Sequence, residues 1–357
     1  MLHAMDKLGP QTLRIMALLT VLVVIILFFA AVVPDYLNGR LFNRISSSVA
    51  IMALIATAQT LVIITRNIDL SIGSIVGFVA FATGSLISNN PELGSVLLVF
   101  YAMIVGAMFG AINGLLVAYA KIPSIIVTLG TLALFRSALV EYSGSKSIST
   151  ANLPDWLVSF PNTVLLQIGG MEFRAGFVTA VAVVLVVHVA LTRLRSARKL
   201  YAIGSNPEAA EMAGINMRMT VFVAFVLAGV LSGLAGFMFL ARFGTITVVA
   251  GLGFELKSVA SAVVGGVNIF GGSGTVIGAL IGTIMVDLID SSLVRWPLVS
   301  EFWREAVLGA LILLSVAVDA LLMRRFIASR QSREHRRAEE KIAQELSAQP
   351  HPQKVSR

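Results

Sequence analysis

The chain has no cysteine among its 357 residues, which excludes disulfides, thiolate metal sites and cysteine nucleophiles. Charge is scarce too. Asp, Glu, Lys and Arg make up 13% of the residues, about half of the roughly 25% found in soluble domains. The four histidines, His3, His188, His335 and His351, show no ligand spacing, so no metal site is expected. No Walker A sequence is present, so ATP would have to be bound by another chain. No catalytic constellation or cofactor motif appears. The net charge of +8 comes with no nucleic-acid module, and the basic residues flank apolar runs.

What is present is apolar. Hydrophobic residues reach 57% and the mean hydropathy is +0.89. A long chain of this kind is a polytopic membrane protein, because so much apolar surface needs lipid as its solvent. Ten segments read as membrane helices: 13–33, 45–65, 70–88, 95–120, 122–140, 176–192, 219–241, 257–272, 274–291 and 305–323. The expected fold is an all-α helix bundle over 1–323, with a basic tail over 324–357. The first segment contains Ile15–Val33, 19 residues without a charge. That is longer than the roughly 7–15 residues of a secretory leader, so it reads as an uncleaved helix. Segment 257–272 is short and glycine-broken, and 122–140 contains Pro123 and Arg136.

Charge asymmetry orients the bundle. The connection 193–218 holds five Lys/Arg against two Glu, and the tail holds nine against four. The positive-inside rule puts both, and the N-terminus, in the cytoplasm. Arg40, Arg44 and Arg295 then fall on the outer side, against the rule.

Small residues recur every four positions at Gly106, Gly110 and Gly114, at Gly229 and Gly233, and at Gly274, Gly278 and Gly282. Such stripes let helix backbones approach closely. Segments two to five and seven to ten share an outline, each with a glycine stripe and a broken helix. Segments two and seven run oppositely in this topology, which is compatible with an inverted repeat.

Three polar features stand out. The run Thr65–Ser74 puts Arg66, Asn67 and Asp69 between two apolar segments, where charge needs a surface or a site. We read these three as organisers of an inner mouth. Gln59, Asn113 and Ser261 each sit in an otherwise apolar helix and are candidates for a polar path. In the connection 193–218, Asn206 can cap a short helix, Pro207 fits its first turn, Glu208 suits its positive end and Gly214 can end it. Asn206, Pro207, Glu208, Ala209, Ala210, Glu211 and Gly214 are thus the candidate docking element for a soluble partner. Asp287 and Asp290 lie one turn apart. They could couple protons in a secondary carrier, but the nearby Arg295 favours capping groups at the outer surface.

Four runs carry a family resemblance: TRNIDLSIGS (65–74), GAMFGAINGLLVAYAKIPSIIVTLGTLALFR (106–136), AIGSNPEAAEMAGIN (202–216) and FELKSVASAVVGGVNIFGGSGTVIGALIGT (254–283). In this order they resemble the inner-membrane permeases of bacterial ABC importers of the ribose and branched-chain amino acid type. The resemblance implies a coupling loop at 193–218 that presses on an ATPase. It implies a second permease, identical or paralogous, and two ATPase copies or one tandem ATPase. It also implies an extracytoplasmic solute-binding protein that delivers a monosaccharide-like solute. Arg66–Asn67 stands where the family often has two glycines, and Asp290–Ser291–Ser292 where it often has Asn-Gly. These forms look closer to permeases for rhamnose and autoinducer-2 than for ribose. An ion-coupled secondary sugar carrier is the alternative of a different class.

Overall fold

The structure, a computed structural model, describes residues 10–296 and scattered positions between 303 and 314. All that follows belongs to the compact unit Met1–Ile312. Segment 305–323 lies largely, and the tail 324–357 wholly, outside the described residues.

The regular structure of the described residues is helical except for one hairpin and an isolated bridge between Ile148 and Ile246. Its helices are α1 (Pro10–Val32), α2 (Gly39–Ile64), α3 (Ile72–Asn89), α4 (Ser95–Ala118), α5 (Ser124–Ser143) and the short α6 (Asp155–Ser159). The hairpin β1 (Val164–Ile168) and β2 (Met171–Arg174) follows. Then come α7 (Ala175–Arg193), α8 (Arg195–Ser205), α9 (Pro207–Met212), α10 (Met217–Phe243), α11 (Phe254–Val264) and α12 (Val276–Leu293). Eight of these, α1–α5, α7, α10 and α12, are long and apolar enough to cross a membrane. The eighth expected span, 257–272, is shorter than predicted. Helix α11 has 11 residues, about 16 Å at 1.5 Å per residue, roughly half a hydrocarbon core.

Helix α2 is the hub. From Val49 to Ile64 every side chain is buried. It runs from the hairpin, where Gly39 abuts Gly170, to the connection α8–α9, where Ile64 abuts Gly204. Helix α10 runs the other way: the Arg242 guanidinium donates to the Ser47 carbonyl at 2.6 Å, while Met217 lies near Thr65. We call the two extremes the hairpin end and the α9 end.

The glycine stripes do what close packing requires. A Cβ on Gly106 or Gly110 of α4 would overlap the carbonyls of Gly229 or Phe225 on α10. Gly278 and Gly282 of α12 meet Gly265 and the Ser261 carbonyl in the same way. Gly274 leaves its predicted stripe: helix α12 begins at Val276, and Gly274 has φ +134 in the preceding loop.

Helices α2 and α10 are each followed by a non-helical stretch and then a shorter helix. After α2 the chain is non-helical over 65–71 before α3; after α10 it is non-helical over 244–253 before α11. The starts of α3 and α11 meet, for a Cβ on Gly73 or Gly251 would overlap the other's carbonyl. Two antiparallel long helices, each followed by a non-helical stretch and a helix whose start abuts the other's, are compatible with the inverted pairs found in transporters. Pro123 does not break α5. It stands just before the helix, and Arg136 spends its charge on the Val248 and Ala250 carbonyls at 2.9 and 2.6 Å. Irregular backbone inside a bundle is tolerated where such partners satisfy it.

Candidate functional site

Three elements converge at the α9 end. The Ile64 carbonyl at the close of α2 accepts the Gly272 N–H at 2.9 Å. Gly204, near the end of α8, packs against both, and any Cβ there would overlap the Ile64 carbonyl. Arg66 locks the corner. Its Nε donates to the Gly204 carbonyl at 2.6 Å and its Nη2 to the Ser205 carbonyl at 2.9 Å. These are unpaired carbonyls at a helix C-terminus, where a cation also opposes the negative end of the helix dipole. To reach them Arg66 adopts φ +66, a backbone state costly for a non-glycine residue. The Tyr201 hydroxyl adds a bond of 3.1 Å to the Gly274 carbonyl. Burial pushes its pKa upward, so it remains a donor at neutral pH.

The predicted docking helix is present as α9. The Asn206 side chain accepts the Ala209 N–H at 3.0 Å, Pro207 occupies the first turn, and Gly214 leaves the helix with φ +77. Ala210 faces inward, while Glu208 and Glu211 are exposed. A cleft of about 880 Å³ separates α9 from the bundle; Arg66, Asn67, Lys121, Glu211, Asn216 and Arg218 give it its polar lining. Helix α8 went unrecognised in the sequence, although Ala197, Leu200, Tyr201 and Gly204 mark an inward face at helical spacing.

The remaining inner-mouth residue, Asp69, points away from this cleft. It is buried, and its Oδ1 accepts the Ser71 N–H and hydroxyl at 2.8 and 2.6 Å. Asn113 of α4 donates to the Ser71 hydroxyl at 2.7 Å. Ser124 and Thr128 of α5 bond both backbone groups of Ile68. The non-helical 67–71 is therefore held by α4 and α5. Asn113 thus joins a structural knot rather than a group with Gln59 and Ser261. All three candidate path residues are sealed from solvent. Both polar atoms of Gln59 and the Ser261 hydroxyl lack partners. Among the described residues, the closed form of the bundle offers no open path at these positions.

The expectation for Asp287 and Asp290 needs correction. Neither caps a helix. Lys257 of α11 reaches both from across the interface, at 2.7 Å to Asp287 and 2.9 Å to Asp290, and Asp287 is fully buried. Arg295 instead stacks over the Tyr36 ring. The signal for Lys257 lay in its place on an apolar helix, where a lone cation needs an anion. No group of three or more His, Asp or Glu that could hold a metal occurs among the described residues.

The model of the family described as branched-chain amino acid transport system / permease component matches residues 41–316. The autoinducer 2 import system permease protein LsrC of Enterobacter sp. (strain 638) is 36% identical over 310 residues, 87% of this chain and 85% of that protein. The protein of the same name from Salmonella typhi is 36% identical over 300 residues, 84% of this chain and 83% of its own. That from Yersinia enterocolitica is 36% identical over 312 residues, 87% and 81% of the two chains. No solved structure matches.

Proposed function

The chain belongs to the permease-component family of branched-chain amino acid transport systems, and from that premise we propose that it is the membrane subunit of an ATP-driven importer for autoinducer-2 or a closely similar sugar-like solute. The observation that carries the ATP-driven reading is α9, a capped helix with an exposed outer face beside an 880 Å³ cleft, joined through α8 to the end of α2 and to the loop before α12 by Arg66 and Gly204. A short rigid helix with exposed Glu208 and Glu211 suits a groove on an ATPase. Motion of α9 would pass to α2 and to the α11–α12 loop through bonds already made.

In this reading the α9 end faces the cytoplasm of a bacterial inner membrane, with both termini on that side. Two permeases pair, and two ATPase domains sit below them. At the hairpin end, exposed Arg40 and Arg44 share a cavity of about 440 Å³ with Arg174 and Arg242. That surface suits an acidic face of the solute-binding protein. The identities favour autoinducer-2 over rhamnose, since the relatives named above import the former. The ion-coupled alternative would use Asp287 and Asp290, but Lys257 bridges both of them.

The test is uptake by the assembled system in vesicles with a panel of autoinducer-2, rhamnose and ribose. ATP-dependent uptake of autoinducer-2 with little competition from the others supports the reading. Preferential uptake of rhamnose overturns the solute, and uptake without ATP overturns the class.

A further inference from the structure

Helices α7 and α10 leave a groove between them at the α9 end, with a cavity of about 490 Å³. Its walls are two parallel apolar stripes at four-residue spacing: Val186, Ala190 and Leu194 from α7 and its cap, and Met219, Val223 and Leu227 from α10. Most of these are exposed, so the groove opens sideways, away from the bundle. Its depth is informative. The α10 lining runs from Met219 to Leu231, about 18 Å at 1.5 Å per residue, close to the depth of one leaflet of a hydrocarbon core about 30 Å thick.

The mouth of the groove is cationic. Lys199 and Ser196 of α8 line it. Arg195 stands one turn before Lys199 on the same exposed stripe, and Arg193 and Arg198 flank them. The chain has no Asp or Glu between Glu172 and Glu208. Helix α8 turns Leu200, Ile203 and Gly204 inward and these cations outward. An apolar slot one leaflet deep, capped by four cations within seven residues, matches a molecule with a long hydrocarbon chain and an anionic head. Basic pockets between membrane helices hold anionic headgroups for this reason.

We infer that this groove is a specific seat for an anionic phospholipid of the surrounding bilayer, with one acyl chain between α7 and α10 and the phosphate against Lys199 and Arg195. Both side chains donate only, and a phosphodiester supplies the acceptors. The bound lipid would fill the space beside α8 and brace the clamp that Arg66 closes on its far end. The assignment requires only that the bundle spans a membrane. It does not depend on the solute or on the energy source.

The experiment uses the full chain, purified and stripped of lipid in detergent. Phosphatidylglycerol and phosphatidylcholine of matched acyl chains are titrated, with inorganic phosphate as a third arm. Binding is read by native mass spectrometry and by thermal unfolding. Phosphatidylglycerol is expected to bind about tenfold or more tightly than phosphatidylcholine, given the usual attraction per basic side chain. Arg195→Gln/Lys199→Gln should remove that preference while leaving the weak binding of phosphatidylcholine. Val223→Trp, which fills the slot, should weaken both lipids. If the double variant misassembles, Arg195→Gln alone, at an exposed position, should lower the preference in part. Equal binding of the two lipids, a full shift from phosphate alone, or an unchanged preference in the charge variants would each overturn the proposal. So would loss of ATPase copurification in the double variant with lipid preference intact, since the cations would then belong to a protein contact.

Discussion

Lys257 shows how one residue can decide the chemistry of a membrane bundle. Its ammonium sits between Asp287 and Asp290, and together the three groups bury charge that none could bury alone. Removing the cation strands Asp287, which is fully buried with one oxygen already lacking a partner. Lys257→Met should therefore destabilise the fold by about 3–5 kcal/mol. The double variant Lys257→Met/Asp287→Asn should recover part of that loss. Thermal unfolding in detergent checks both; equal stability of Lys257→Met and the parent would mean that the triad is open to water. Arg66 makes the complementary case. Arg66→Ala frees two carbonyls at the end of α8 and loosens the corner without touching the membrane core. ATP hydrolysis by the assembled complex should persist while uptake falls, as a decoupled ratio of the two rates would show. A charge at position 66 was legible as needing a site. Its partners, 138 and 139 positions further along, were not, because nothing local records a contact of that range.

At the scale of elements, hydrophobic runs and caps were readable and polar connections were not. Asn206, Pro207 and Gly214 announce α9 through backbone rules that act over a few residues. The hairpin Val164–Arg174 was missed although Gly169 and Gly170, both at positive φ, are its turn. β1 is exposed throughout and β2 is largely half-buried, so neither shows the alternation of buried and exposed residues that marks a strand. Helix α2 begins six residues earlier than its apolar run, because Asn38 caps it and Arg40 and Arg44 face outward. Two predictions belong here. Glu208→Lys/Glu211→Lys should abolish solute-stimulated ATP hydrolysis with normal membrane insertion, since both carboxylates are exposed on the proposed docking helix; full uptake by this variant would remove α9 from the ATPase interface. Gly110→Leu drives a branched side chain into the Phe225 carbonyl on α10. Overpacking costs about 1–3 kcal/mol in ordinary cores and more where backbones touch. A lowered melting temperature is expected, and an unchanged one would mean that α4 and α10 part in the native membrane.

For the whole molecule, the paired non-helical stretches before α3 and α11 explain why the charged run at 65–74 exists at all. Arg66 faces the α9 clamp, while Asp69 anchors the non-helical approach to α3. Arg136 does the same for the approach to α11. Polar side chains here replace the backbone bonds that continuous helices would have made. The starts of α3 and α11 touch through Gly73 and Gly251, so any opening there requires these two backbones to part. The sealed state of Gln59 and Ser261 fits a resting form whose opening needs outside work. That work is expected to come from ATP, because the paired acids are committed to Lys257. In vesicles carrying the complete system, an uncoupler should leave uptake nearly intact while ATP is supplied, and ATP depletion should stop it. Asp287→Asn should lower the melting temperature more than it lowers the ratio of solute moved to ATP hydrolysed. If the uncoupler halts uptake, or if Asp287→Asn abolishes transport in a complex that stays assembled and stable, the Lys257–Asp287–Asp290 triad is a proton site and the bundle is driven by a gradient.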